Sequence, residues 1–279
     1  MIEALQYEFM QHAVIAGILI SIACGVIGSL IVVNRMVFIS GGIAHAAYGG
    51  IGLALFLGIS PLLGAGLFSV IIAVVIGILT FRKRERSDTI IGALWSAGMA
   101  FGIILVDLTP GYNVDLMSYL FGSILTVPYF ELLLMFALNC VIITVISWYY
   151  RDFVALSYDD EFASLQGVPV KALYFTLLIL SSLTIVMTIR LVGLILVMAL
   201  LTIPTYIAES FSQSLGGMMV RSSIIGVVFT VSGLWISYTF NVSSGAAIIM
   251  LATIVFIIFF TFSRIRERMW RSVGSRASR

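Results

Sequence analysis

The stretch MVFISGGIAHAAYGGIGLALFLG, residues 36–58, holds no Asp, Glu, Lys or Arg. As a helix rising 1.5 Å per residue it would span about 34 Å, enough to cross a hydrocarbon core of about 30 Å. Yet it carries His45, one of only two histidines in the chain, framed by glycines. The run reads as a membrane span with one ionisable group inside it.

Outward from this segment the pattern repeats. Of 279 residues, 61% are hydrophobic and 10% charged, against about 25% charged in a soluble domain, and mean hydropathy is +1.15. Apolar runs between charges fall near 11–33, 36–58, 62–81, 89–108, 130–150, 171–189, 192–212, 222–240 and 245–263. A very short turn at Gly58, Ser60 and Pro61 separates the second from the third, and one run is a candidate re-entrant segment. The expectation is therefore an all-α polytopic bundle of eight or nine spans, with residues 1–263 as one transmembrane domain and 264–279 as a basic tail. The runs are apolar throughout, whereas barrel strands alternate over about 10 residues; helices also satisfy their own backbone amides in lipid. MIEALQYEFM, residues 1–10, lacks the basic region of a cleaved leader, so the first span is expected to stay. Cys24 and Cys140 fall within spans and form no CxxC pair, so neither a disulfide nor a thiolate metal site is expected.

Charge sets the orientation. With the loops holding Arg35, Arg82–Arg86, Arg151 and Lys171, Arg221 and the tail placed in the cytoplasm, only Arg190 of the fifteen Lys and Arg residues lies outside. The positive-inside bias puts the N-terminus out and the C-terminus in. Glu3, Glu8, Asp107, Asp115 and Glu131 then face outward. This acidic mouth either concentrates cations or reflects the indifference of acids to topology. The tail RIRERMWRSVGSRASR is a cytoplasmic anchor or a contact for anionic lipid.

Within the second run, Gly41, His45 and Gly49 recur every fourth residue and share one helix face. On this reading the glycines clear a turn on each side of the imidazole. Gly42, Ala46 and Gly50 form an adjacent small stripe that lets another helix approach closely. His45 is a candidate metal ligand, since a neutral imidazole binds divalent transition metals; the other reading is a histidine bonded between helices. Weaker candidates for the pathway or its gate are Asp107 and Asp115, in DLTPGYNVDLMSYLFG, and Pro204, which removes a backbone donor from the seventh run. Glu209 is read as bonded at the cytoplasmic end, His12 as interfacial, and the scattered methionines as core or lipid-facing.

In the largest inner loop, YDDEFASLQGVPVK (158–171), Asp159, Asp160 and Glu161 start a short helix with favourable dipole interactions. Phe162 and Leu165 give it an apolar side, and Gly167-Val168-Pro169 ends it. It is either a docking helix or a solvated loop with one helical turn. Neither lysine, Lys83 or Lys171, follows a glycine, so the chain holds no GxxxxGK[ST] phosphate loop. HExxH and GxSxG are absent too, and no enzyme activity is expected.

NRMVFISGGIAHAAYGGIGLAL (34–55), VDLMSYLFGSIL (114–125), the Glu161–Pro169 loop and VGLILVMALLTIPTYIA (192–208) together resemble, in order, the membrane subunit of ATP-binding-cassette importers for zinc, manganese or iron. The resemblance covers nearly the whole chain. It implies a permease that works by alternating access as a pair of copies in the cytoplasmic membrane. Two cytoplasmic ATPase subunits would bind the ATP, and an extracytoplasmic metal-binding protein would deliver the divalent metal as substrate. It implies no cofactor in this chain and no nucleic acid. It makes Glu161, Ala163 and Gly167 the coupling element to the ATPase, and His45 part of the metal path. Members of the family commonly carry an aspartate one turn before the histidine, where this chain has Gly41. A permease for an iron chelate or vitamin shares the layout, and an ion-driven secondary transporter would need acids near the midplane; both stand as alternatives.

Overall fold

The computed structural model describes residues 6–81, 87–110, 124 and 127–277. Apolar runs become helices, and the described residues contain no strand. They form α1 (Glu8–Val33), α2 (Val37–Leu57), α3 (Pro61–Thr80), α4 (Ser87–Asp107), α5 (Tyr129–Trp148), α6 (Tyr150–Tyr158), α7 (Asp160–Leu165), α8 (Val170–Val192), α9 (Leu194–Glu209), α10 (Leu215–Phe240) and α11 (Ser244–Ala277).

Eight of these are long and apolar enough to cross a membrane: α1 to α5, α8, α10 and α11. The seventh run appears as α9, only 16 residues long, or about 24 Å. A single residue, Gly193 with φ 81° and ψ 163°, separates α8 from α9. The chain turns back there. Glu209, at the end of α9, shares a cleft with Val33 of α1 and Val154 and Ser157 of α6, on the face from which α8 departs. Pro204 lies inside α9, which continues through it as one helix; the lost donor is the one that would have bonded Leu200. The basic tail extends the last span as helix to Ala277, because Arg, Glu and Met are good helix formers. Arg264 lies 5.1 Å from the centre of the Phe260 ring.

The inside of the bundle is small and the outside large. On α3, Leu63, Leu67, Ile71 and Ile78 are exposed, while Gly64, Ala65, Ser69, Ala73 and Gly77 are buried. That arrangement suits lipid as solvent, where close backbone packing rather than hydrophobicity holds helices together. Buried hydroxyls bond back to their own helix: Ser21 donates to Gly17 O at 2.7 Å, Ser29 to Gly25 O at 2.7 Å, and Thr188 to Thr184 O at 2.6 Å. A few bonds tie helices together. Thr205 meets Ser222 at 2.9 Å, and Asn139 Nδ2 donates to Leu19 O at 3.1 Å.

Two groups of helices share this core. α1 packs on α10, α9 and α5; α2 packs on α4, α3 and α8. In the apolar window of α2, 78% of residues are buried, against 22% in α4 and in α11. His45 thus rides on the most enclosed span. Gly58, with φ 68°, caps α2, and Pro61 opens α3 at its first turn, where its missing donor costs nothing.

Candidate functional site

α2 reaches its neighbours through different sides. Toward α4 it offers glycine. A Cβ on Gly52 would collide with the carbonyl oxygen of Gly102 and lie 2.7 Å from its Cα; one on Gly49 would lie 2.9 Å from Gly98 O and 2.8 Å from the Phe68 ring. A Cβ on Gly42 would overlap Ile91 Cγ2. The glycines on both helices therefore serve backbone approach. This differs from the space-clearing role expected of Gly49: that glycine is filled from outside by α4 and Phe68. Gly41 faces another way, toward α9, where a Cβ would lie 3.3 Å from Met198 Cε and 3.9 Å from its Sδ.

His45 stands between these two sides. Its ring stacks on Trp95 of α4, with centroids 3.8 Å apart and planes 13° apart. Trp95 is itself fixed: its Nε1–H donates to Met99 Sδ at 3.2 Å, and Phe38 packs obliquely on it at 6.3 Å. His45 Nδ1 is buried without a hydrogen-bond partner. Nε2 also has no partner but is not enclosed. Most buried polar groups are bonded, so an imidazole held by stacking alone, with one nitrogen open, is set for a ligand and contributes little to packing. The alternative of a histidine bonded between helices finds no bond in the structure.

The other expected residues lie apart. Asp107 is exposed at the end of α4. Asp115 and Glu3 fall outside the described residues. Pro204 sits among the buried residues of α9. Of the acidic mouth, Glu8 is exposed but Glu131 is buried at 7% exposure in the first turn of α5. His12 donates through Nδ1 to Val127 O at 3.1 Å, joining the starts of α1 and α5. Among the described residues, no three His, Cys, Asp or Glu side chains gather into a metal-holding group. Cys24 and Cys140 are free.

At the opposite end of α8, the short helix forms as its sequence predicts. Asp159 caps α7, its carboxylate accepting from Phe162 N–H at 2.9 Å. Gly167 (φ 83°) closes it. Gly167 N–H bonds Ser164 O and Val168 N–H bonds Ala163 O, each at 3.1 Å, the paired bonds of a glycine-terminated helix. Ala163 is turned inward at 1% exposure and holds α7 to the protein, so it makes no outward contact. Glu161 and Gly167 are exposed. The outward face belongs to Phe162 (58%), Leu165 (86%) and Tyr158 (86%). The first two gave the expected apolar side; Tyr158, one position before the cap, did not stand out in the sequence. Trp95 was also missed, although its i, i+3, i+7 spacing with Gly98 and Gly102 marks one face of α4.

Residues 6–263 match the family model described as the ABC 3 transport family. The chain belongs to that family. It is 52% identical over 264 residues to a membrane protein of Synechocystis sp., covering 95% of this chain and 94% of that one. It is 35% identical to the manganese transport system membrane protein MntC of Listeria monocytogenes, covering 93% and 92%. Among solved structures, PsaBC from Streptococcus pneumoniae in complex with Fab superposes with TM-score 0.83 at 32% identity, covering 93% of this chain and 94% of that one. The protein is a multi-pass component of the prokaryotic cytoplasmic membrane.

Proposed function

We propose that this chain is the permease subunit of an ATP-driven importer, and that the substrate passing through it is a divalent transition metal ion: zinc, manganese or iron. The observation that carries the reading is His45, an imidazole on the most enclosed span with no hydrogen-bond partner and one open nitrogen. Intramembrane ionisable groups mark ion paths, and a single imidazole offers the weak, multi-step binding that lets an ion leave again. The naming of MntC as a manganese transport protein supports the substrate class.

The chain has no phosphate-binding loop, so ATP is hydrolysed by partners. Two cytoplasmic ATPase subunits seat on α7 of two copies of this chain. Phe162 and Leu165 present the apolar contact, Glu161 lies beside them, and Gly167 fixes the angle at which the helix meets α8. An extracytoplasmic protein delivers the metal at the face where α1 begins. Motion of α7 then passes into α8 and, across Gly193, into α9, which borders the His45 face of α2. That is alternating access with the drive supplied from below.

The test is His45→Ala in the assembled transporter, reconstituted with its ATPase and binding protein. Metal uptake should fall by roughly tenfold or more, the scale of losing a metal-site contact, while co-purification with the ATPase is unchanged. Uptake at the parental rate would overturn the assignment.

A further inference from the structure

Met198 occupies a place that no sequence motif assigned to it. Successive residues of an α-helix are rotated by about 100°, so on α2 His45 lies about 40° round from Gly41 and Gly42 about 100°. Gly41 faces the Met198 thioether on α9, and Gly42 faces Ile91 on α4. His45 therefore projects into the wedge between α9 and α4. Trp95 closes the α4 side by stacking; Met198 borders the other. Side chains one turn apart on a helix have Cβ atoms about 5–6 Å from each other. The sulfur, 3.9 Å from where a Gly41 Cβ would stand, is thus within side-chain reach of the imidazole. Any side chain at position 41 would push it out.

The two methionines of this region differ. Met99 Sδ accepts the Trp95 N–H, whereas no described residue donates to Met198 Sδ. Its lone pairs are uncommitted, and its unbranched chain has three rotatable bonds to follow an ion. Acids are far from this wedge along the sequence. On α2, α4 and α9 they occur only at the ends: Asp88, Asp107 and Glu209.

We propose that Met198 is a specificity-determining residue of the conduction path, lending a sulfur beside the His45 nitrogen so that the path favours a borderline or soft ion, zinc(II) or iron(II), over manganese(II). This rests on the metal-conducting reading above. Carboxylate and carbonyl oxygens suit manganese; imidazole and thioether suit the later, softer metals. A wedge walled by one nitrogen and one sulfur, with its carboxylates at the helix ends, discriminates against a hard ion during passage even where the delivery protein accepts it.

The experiment compares uptake of zinc(II), iron(II) and manganese(II), each supplied alone at equal concentration, by the complete reconstituted transporter. Met198→Leu keeps the volume and removes the sulfur. It should lower zinc and iron(II) uptake roughly tenfold relative to manganese, so the zinc-to-manganese ratio falls. An unchanged ratio overturns the proposal. If Met198→Leu fails to assemble, Gly41→Asp decides: it displaces the thioether and adds an oxygen donor, and the ratio should again shift toward manganese; no shift overturns the proposal. If His45→Ala abolishes uptake of every metal while the Met198 and Gly41 ratios stay parental, only this inference falls. If His45→Ala transports normally, the conduction reading itself falls.

Discussion

Gly52→Ala tests whether the α2–α4 seam holds the imidazole platform in place. The added methyl would stand 2.7 Å from Gly102 Cα and 2.8 Å from its carbonyl carbon, and would overlap the carbonyl oxygen. Ordinary contact begins near 3.4 Å, so the two backbones must part by about 0.7 Å. Neither side can rotate away, because the obstruction is backbone. A radial gap of about 0.5–1 Å forfeits a quarter to a half of each dispersion contact, and overpacking costs about 1–3 kcal/mol. Replacing glycine in a helix returns about 0.4–1 kcal/mol through the unfolded chain. The net loss is about 1–2 kcal/mol, or some 2–8 °C in Tm at about 2–4 °C per kcal/mol for a chain of this size class. Thermal unfolding in detergent, followed by tryptophan fluorescence, measures it. Gly66→Ala is the control, since a Cβ there meets nothing within 4 Å. A Gly52→Ala protein as stable as the Gly66→Ala protein would refute the close-approach argument.

Two further outcomes concern the short inner helix. Asp159→Ala removes the carboxylate that accepts the Phe162 N–H; it should cost about 1 kcal/mol locally and weaken co-purification with the ATPase, with parental co-purification counting against α7 as the docking element. Gly167→Val forces a β-branched residue to φ 83°, a strain of about 1–3 kcal/mol. It should leave the spans folded while lowering metal-stimulated ATP hydrolysis, and hydrolysis at the parental level would show that the angle between α7 and α8 carries no signal.

The fold was legible where one solvent dictated it. Runs of about 20 apolar residues can only be helices in lipid, and each long run became one. The seventh differed because Gly193 ends α8 late and α9 starts after it, a boundary set by one residue's φ rather than by hydropathy. Asp159 and Gly167 announced α7 because caps are local chemistry. The His45 face was half legible. Spacing put Gly41, His45 and Gly49 on one side, but could not say which neighbour would fill the space each glycine left. Gly49 went to α4 and Gly41 to Met198, and that division depends on tertiary packing. Glu131 was read as an outer acid by the same limit: sequence position places it at the right end of α5 without telling whether it points inward.

The two sides of α2 make opposite demands, and the sequence meets both with the same residue type. Toward α4, glycine brings backbones together and so fixes Trp95, three residues before Gly98, against the imidazole. Toward α9, glycine keeps a surface open for a flexible thioether. α4 is an uninterrupted helix on a glycine seam, whereas α9 is short, enters through the single residue Gly193 and contains Pro204. The helix lacking interruptions therefore sets the orientation of His45, and the interrupted one sets what lies opposite it. If α7 drives α8, the first consequence at His45 is a change in the Met198 side of the wedge while the Trp95 side stays put. On that arrangement one wall of the path holds the nitrogen steady, and the other wall decides when, and for which ion, a second donor is in reach.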